Sequence, residues 1–419
     1  MSSEHQNHEA SDTGLPRRLS RRRFLEIAGA AAAGLFISSC TPAVAPAEVA
    51  PTDGAAPAEF APAETPPQAA PTVTETAVSE STAVASATAT PAPTGLSSQV
   101  AIGTARDYER AGIRAVMEEM LDDLGGLGDV VRPGDRVAIK TNLTGGLGNE
   151  GPPGLSPMES FVTHPEVVRV LSELVLDAGA SEILIVEAVY QWGSYVQWGY
   201  EDIAEGINAT LIDLNATDPY DDYIDATVPG GGEIYESFIF NPILQEVDVF
   251  MSAAKMKCHW VAGVTHSLKN LVGLVPARFY QLSREHSHRS AFHGPSDETA
   301  GQRIPRIIVE LNKTRPIDFA LVDGIKTSEG GEGPWIRGFG SITPGVLFAG
   351  KDPVATDAIA TAAQGFDPTS PGMREPFVRG ENHLNLAAAA GLGTNRLDEI
   401  ATFGANIEDI RTNFRPCLG

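Results

Sequence analysis

The order of elements along residues 99–419 predicts an α/β fold, a mainly parallel sheet with helices on both faces, in a single large domain. Three observations predict it. Short β-rich runs alternate with amphipathic stretches, the signature of strand–helix–strand units. Several of those runs are continuously apolar rather than alternating, which suits strands buried on both faces. No long internal repeat divides the segment into similar halves.

Taken in order, a first strand is read at residues 100–104 and helical spacing follows over 107–124. A second strand, Arg-Val-Ala-Ile-Lys, occupies 136–140. The next helix is well marked: Thr163-His-Pro-Glu166 reads as a capping box with threonine at the N-cap, glutamate three later and proline in the first turn. The apolar face continues over 167–176. Further strands are read at 182–187, 210–213, 247–251, 319–323 and 345–349. Between the third and fourth lies an aromatic loop, 190–200, with the echo Gln191-Trp-Gly193 and Gln197-Trp-Gly199; it stacks over a ligand or packs on the domain. Asp352-Pro353 reads as an N-cap with proline at the first helical position, and Asp357 follows one turn in.

The first residues are set apart from the fold. Residues 20–25, Ser-Arg-Arg-Arg-Phe-Leu, read as a twin-arginine export signal, and the uncharged run from Ile27 to Ile37 is too short to span a bilayer. Ile37-Ser-Ser-Cys40 resembles a bacterial lipoprotein box, with Cys40 the lipidated residue and new N-terminus. The expected organisation is a signal with lipobox over 1–40, an Ala/Pro/Thr-rich tether without Lys or Arg over 41–98, and an α/β domain over 99–419. The twin-arginine route generally carries proteins that fold before export, often with a cofactor. The expected location is the outer side of the cytoplasmic membrane or the cell envelope, held by the lipid.

Composition removes one class of partner. Lys and Arg number 30 against 54 Asp and Glu, a net charge of −24. Nucleic-acid binding rests on phosphate neutralisation by a basic face, so no nucleic-acid partner is expected. Beyond Cys40 only Cys258 and Cys417 remain; they are able to pair outside the cytoplasm but do not supply the four thiolates of a zinc or iron–sulfur site. No iron–sulfur cluster is expected from these cysteines. The cofactor is otherwise open, a divalent metal included.

Against that acidic background the positive charge is concentrated. The chain has seven lysines, and Lys255, Lys257 and Lys269 fall with His259 and His266 inside residues 255–270. If the strand at 251–256 stays extended, Lys255, Lys257 and His259 stand at i, i+2 and i+4 and face one side. Gly263 breaks the strand, Thr265 reads as an N-cap, and residues 266–273 have helical spacing, with Gly273 and Pro276 as stop signals. His266, Lys269 and Asn270 then share one helical face. Lysines at a strand end and a helix start converge on one anion, a phosphate, carboxylate or enolate-like group. The competing structural role is pairing with the chain's many acids.

Lys255-Met-Lys257-Cys-His259 followed by Gly263-Val-Thr-His-Ser-Leu-Lys269-Asn-Leu-Val-Gly273 resembles the central signature of the domain of unknown function 362 family. Lys140-Thr-Asn142 resembles that family's early lysine-x-asparagine, Asp323-Gly324 its late aspartate-glycine, and Gly350-Lys-Asp-Pro-Val-Ala-Thr-Asp357 its later helix start. The resemblance covers roughly residues 100–395. It implies the place of the site and supplies no reaction. Some members of the family carry a cysteine-rich ferredoxin-like segment, which this chain lacks.

The expected function is therefore an exported, membrane-anchored enzyme acting on a small anionic substrate. Lys257 and Lys269 bind the anion, His259 or His266 transfers a proton, and Asp323, closing its strand, is base or metal ligand. Lys140, Asn142, Lys255 and Asn270 complete the substrate contacts. His286, His288 and His293 are spaced so that they can ligate a metal, or they lie in a solvated loop; His164 has a sufficient role in a capped first turn. The alternative is a non-catalytic lipoprotein that binds a ligand or metal and hands it on.

Overall fold

A computed structural model describes residues 98–282 and 289–418. Cys40, the export signal and the tether lie outside the described residues, as do His286 and His288. No helix among the described residues is long and apolar enough to cross a membrane.

Ten strands form one sheet: β1 (Ser98–Thr104), β2 (Arg136–Lys140), β3 (Glu182–Glu187), β4 (Thr210–Asp213), β7 (Val249–His259), β8 (Gly263–Thr265), β9 (Phe319–Glu329), β10 (Gly340–Ile342), β11 (Val346–Gly350) and β12 (Ile400–Gly404). β5 (Ile224–Thr227) and β6 (Ser237–Phe240) make a separate antiparallel ribbon. The order across the sheet is β12-β1-β11-β9-β7-β2-β3-β4. From β9 to β4 every ladder is parallel. β11 runs antiparallel to β1 and β9, and the short β8 and β10 fold back on β7 and β9. The sheet is thus mainly parallel, with β11 as an antiparallel insert.

Helices cover both faces, as the continuous apolar runs demand. They are α1 (Arg110–Asp123), α2 (Pro165–Asp177), α3 (Tyr200–Ile207), α4 (Asp297–Thr314), α5 (Pro353–Ala363) and α6 (His383–Ala389), besides one-turn segments left unlabelled. The period-2 alternation of a strand decides which helix each residue meets. Val137, Ile139, Ile183, Ile185 and Met251 pack with α1, α2 and α3. Ala138, Leu184, Val186 and Phe250 point the other way, to α4 and α6. Val100, Ile102, Val322 and Phe348 lie under α5.

Three local readings change. The N-cap of α2 is His164 rather than Thr163: its Nδ1 accepts from Glu166 N at 3.2 Å, with Pro165 at the first helical position. The Thr163 hydroxyl instead donates to Ala253 O on β7 at 2.8 Å and accepts from Asn142 N at 3.0 Å, bracing β7 against the loop after β2. Secondly, β9 does not stop at Asp323 but runs on to Glu329, so Asp323 lies inside the sheet, fully buried. Thirdly, the helix after β8 is one α-turn, Ser267–Asn270, followed by a 3₁₀ turn, Leu271–Leu274, and its N-cap is His266 rather than Thr265. Asp357 on α5 accepts from Ser267 N and Leu268 N, both at 2.9 Å, and from the Ser267 hydroxyl. Asp352 caps α5 as the sequence predicts, accepting from Ala355 N at 2.9 Å.

Candidate functional site

In open α/β sheets the working residues gather beyond the carboxyl ends of the parallel strands. Here β2 ends in Lys140, β3 in Glu187 and β7 in His259, and Glu332 follows the end of β9. A cavity of about 520 Å³ opens at that edge, lined by these four residues together with Lys269, Asn270 and Arg289, and walled by Tyr190, Trp260 and Trp335. Asn142 and His293 also border it. Another cavity, about 590 Å³, is bordered by Asp352 and by one cation among the described residues, Lys351, which is already paired with Asp129 at 2.6 Å.

Lys140 anchors the floor. Its Nζ lies 2.8 Å from Glu187 Oε1 and donates to Thr141 O at 2.6 Å and Asn270 Oδ1 at 3.2 Å. The other Glu187 oxygen accepts from Leu143 N at 2.9 Å. Asn270 returns its amide to Lys140 O at 3.1 Å and to Ser252 Oγ at 3.0 Å, so it ties β2 to β7 under the cleft. Burial pushes Lys140 down and Glu187 opposes it. Gly273 closes this floor. A Cβ there would meet Glu187 Oε1 and come within 2.7 Å of Lys140 Nζ. Gly273→Ala is therefore expected to cost about 1–3 kcal/mol as the pair is forced apart; urea unfolding of the two proteins measures it.

His259 is held in one tautomer. Its Nδ1 accepts from Val261 N at 3.1 Å and Ala262 N at 3.2 Å. The neutral ring therefore carries its proton on Nε2, and a second proton on Nδ1 would break both contacts. Burial, reinforced by the charge of Lys269, holds it well below the usual imidazole range. Such a ring is a fixed hydrogen-bond donor rather than a proton shuttle.

Arg289 donates through Nε to Val275 O at 2.8 Å and through one Nη to Ala188 O at 3.4 Å, so carbonyls, not carboxylates, fix its place. Burial pushes it down. Lys269 differs from the other six lysines: among the described residues it alone has neither hydrogen bond nor ion pair. Burial pushes it down to about 8, Glu332 pulls it back, and Lys140 and Arg289 push it further down. Glu332 is itself engaged, accepting from Trp260 N at 2.9 Å and from the Trp335 indole at 3.3 Å.

The rest of the predicted cluster is drawn elsewhere. Lys255 is fully buried against Asp323, with Nζ 2.8 Å from Oδ2. Asp323 also accepts from Tyr108 Oη at 3.0 Å, His164 N at 3.1 Å and Ile325 N at 3.2 Å. Tyr108 stacks on the His164 ring at 3.6 Å, closing this network beneath α2. Lys257 shares the side of β7 but donates to Phe161 O at 2.6 Å, and burial holds its ammonium well below the usual range. Neither lysine, nor Asp323, lines the cleft. His266 is buried under α5, beside Gln364, and does not reach it either. The structure brings together Lys140, Asn142, His259, Lys269, Asn270 and His293. Among the described residues no group of three or more His, Cys, Asp or Glu is placed to hold a metal.

Sequence reasoning missed Glu187, Arg289, Glu332 and the walls Trp260 and Trp335; Tyr190 opens the aromatic loop read as stacking over a ligand or packing on the domain. Glu187 had a signal: it ends a parallel strand, the same rule that singles out Lys140. Arg289 and Glu332 sit in irregular segments, where only the folded chain shows what faces what.

The family described as a domain of unknown function, number 362, matches residues 137–362. A thylakoid-associated protein of Synechocystis sp. is 26% identical over 278 residues, 65% of this chain and 76% of the relative. Among solved structures, the lactate racemase apoprotein from Thermoanaerobacterium thermosaccharolyticum is similar at a TM-score of 0.34 and 13% identity, over 62% of this chain and 54% of that one. A protein from Thermotoga maritima is similar at 0.31 and 13%, over 53% and 51%. The chain spans about half the length of each solved structure it matches.

Proposed function

The chain belongs to the domain of unknown function 362 family, and from that premise we propose that it is an enzyme acting on a small anionic substrate in the cleft at the end of β2, β3 and β7. One observation carries this reading. Three cations, Lys140, Lys269 and Arg289, border one cavity whose two carboxylates are engaged, Glu187 by Lys140 and Leu143 N, Glu332 by Trp260 N and Trp335. A partly desolvated site of this kind favours an anion that water would screen. Arg289, with Lys140 on the floor beside Asn270, takes the charge of the substrate, Lys269 stands next to it, and His259 Nε2–H donates to a neutral oxygen.

The same proposal places the enzyme outside the cytoplasm, exported through residues 20–25 and anchored through Cys40. The thylakoid-associated relative, a protein named for a membrane system, supports the association with a membrane.

The test is thermal unfolding of the full chain with inorganic phosphate and with small carboxylates. A bound anion at 100 times its dissociation constant stabilises by about 2.7 kcal/mol. Arg289→Ala is expected to lose that shift while melting within a few degrees of wild type without ligand. If no anion moves the wild-type transition, the reading fails.

A further inference from the structure

Resting on that reading, the cleft also indicates what the substrate carries besides its charge. We propose that Lys269 is a covalent nucleophile that forms an imine with a small anionic carbonyl compound, an aldehyde or ketone bearing a carboxylate or phosphate.

The placement of Lys269 separates it from every other lysine of the chain. Lys140 and Lys255 are paired with carboxylates, Lys257 donates to a carbonyl, and Lys313, Lys326 and Lys351 are held on or near the surface by Gly231 O, Glu159 and Asp129. Lys269 borders the cavity with no partner among the described residues. No nearby carboxylate holds its proton directly: Glu187 is drawn to Lys140, and Glu332 is tied to the Trp260 amide and the Trp335 indole. Two further cations border the same cavity. An amine so placed is available as a free base, the condition for attack on a carbonyl carbon.

The remaining groups match the needs of that reaction. The amine nitrogen adds to the carbonyl carbon, giving a carbinolamine. Expulsion of the oxygen with both amine protons as water then leaves the C=N bond, with no oxidant or reductant involved. His259, locked as an Nε2–H donor, is suited to the carbonyl oxygen in the first step, as a neutral imidazole polarises a carbonyl elsewhere. Arg289 and Lys140 supply the charge that orients the carboxylate or phosphate. With Lys269 at about 8, its free-amine fraction near that pH exceeds that of an ordinary lysine by about a hundredfold.

The experiment is borohydride trapping on the full chain with two probes, glyoxylate as an aldehyde with a carboxylate and pyridoxal phosphate as one with a phosphate, followed by peptide mass mapping. The expected result is reduced adduct on the peptide holding Lys269, at least about tenfold over any other lysine, rising with pH through about 8 and suppressed by inorganic phosphate. The probe that labels better assigns the carboxylate or the phosphate class. Lys269→Arg, which keeps a cation but no nucleophilic amine, is expected to abolish the adduct. Labelling that follows exposure, with Lys313 and Lys351 ahead of Lys269, overturns the imine. If phosphate still stabilises the wild type in that case, the anion site stands and only the covalent step falls. If phosphate has no effect either, both fall together.

Discussion

Replacing Asp323 by alanine is expected to destabilise the protein by about 3–5 kcal/mol, the loss that follows when one member of a buried ion pair is removed. The residue looks functional in the sequence, an acid after a strand and before a glycine-rich loop. In the fold it receives four donors on two oxygens: Tyr108 Oη and Ile325 N on Oδ1, Lys255 Nζ and His164 N on Oδ2. Alanine removes the acceptor of His164 N and Ile325 N, leaves Tyr108 Oη with Lys326 O, and leaves Lys255 Nζ with Tyr108 Oη alone, at 2.9 Å. Lys255, fully buried, then either keeps a charge with no counter-ion or gives up its proton, and either outcome is costly.

The double variant Lys255→Met, Asp323→Asn distinguishes a charge effect from a packing effect. It removes both charges, fills the lysine's volume and leaves one acceptor oxygen for Tyr108 and the backbone. It is expected to recover at least half of the stability lost in Asp323→Ala, because a buried pair is expensive to break and much less expensive to exchange for matched neutral groups. Urea unfolding of the two variants beside the wild type settles the point. Equal destabilisation of single and double variants would mean that the hydrogen bonds, not the charges, dominate. Lys269→Ala is the contrast, since that side chain has no partner among the described residues to leave behind.

That contrast shows how much of the site was legible in the chain. The sheet edge was: Lys140 and His259 end strands whose apolar runs and following breakers are written in the sequence, and the helix start, read one residue early at His266, brings Lys269 and Asn270 to the same edge. The split of the lysine cluster was not. Spacing puts Lys255, Lys257 and His259 on one side of an extended strand, and the structure keeps that side. How far along the strand each residue lies decides its fate: Lys255 pairs opposite Asp323 inside the sheet, whereas His259 is at the open end. A register shift between Lys255 and Lys257 adds to the separation. Register between strands distant in sequence is a tertiary property, and no local pattern encodes it. The end of β9 was misplaced for a related reason. Residues after Asp323 are polar and glycine-containing, but β7, β10 and β11 hold them extended through Glu329.

A steep loss of stability in mild acid is the second large effect expected of this fold. Three histidines are buried and a fourth, His164, is partly so, and all are kept neutral: His164 is pushed down to about 4, His266 and His383 to about 3, and His259 well below its usual range, each chiefly by burial. In the unfolded chain all four titrate near 6.5. Between that value and their folded values the unfolded state binds more protons than the native state, so stability falls as pH falls. Each ring withdraws about 1.4 kcal/mol per pH unit below about pH 6, and the four together approach about 5 kcal/mol per unit. Asp357 opposes them. Burial raises it to about 7, so the native state takes its proton first and gains stability as pH falls from about 7 toward the unfolded carboxylate value. One carboxyl against four imidazoles leaves the histidines dominant. With a total stability of about 5–15 kcal/mol, unfolding is expected within about one to three pH units below 6, which circular dichroism during acid titration records. His383→Gln, at a ring packed edge-on against Phe377 at 5.7 Å, keeps a polar side chain of similar size and removes one titrating group. Because Asp357 offsets one ring over the same range, it is expected to flatten the net slope of stability against pH between 6 and 4 by roughly a third, measured by urea unfolding at each pH. A stability constant between pH 7 and 5 would show that these rings take up protons in the native state, and that the interior around them admits charge.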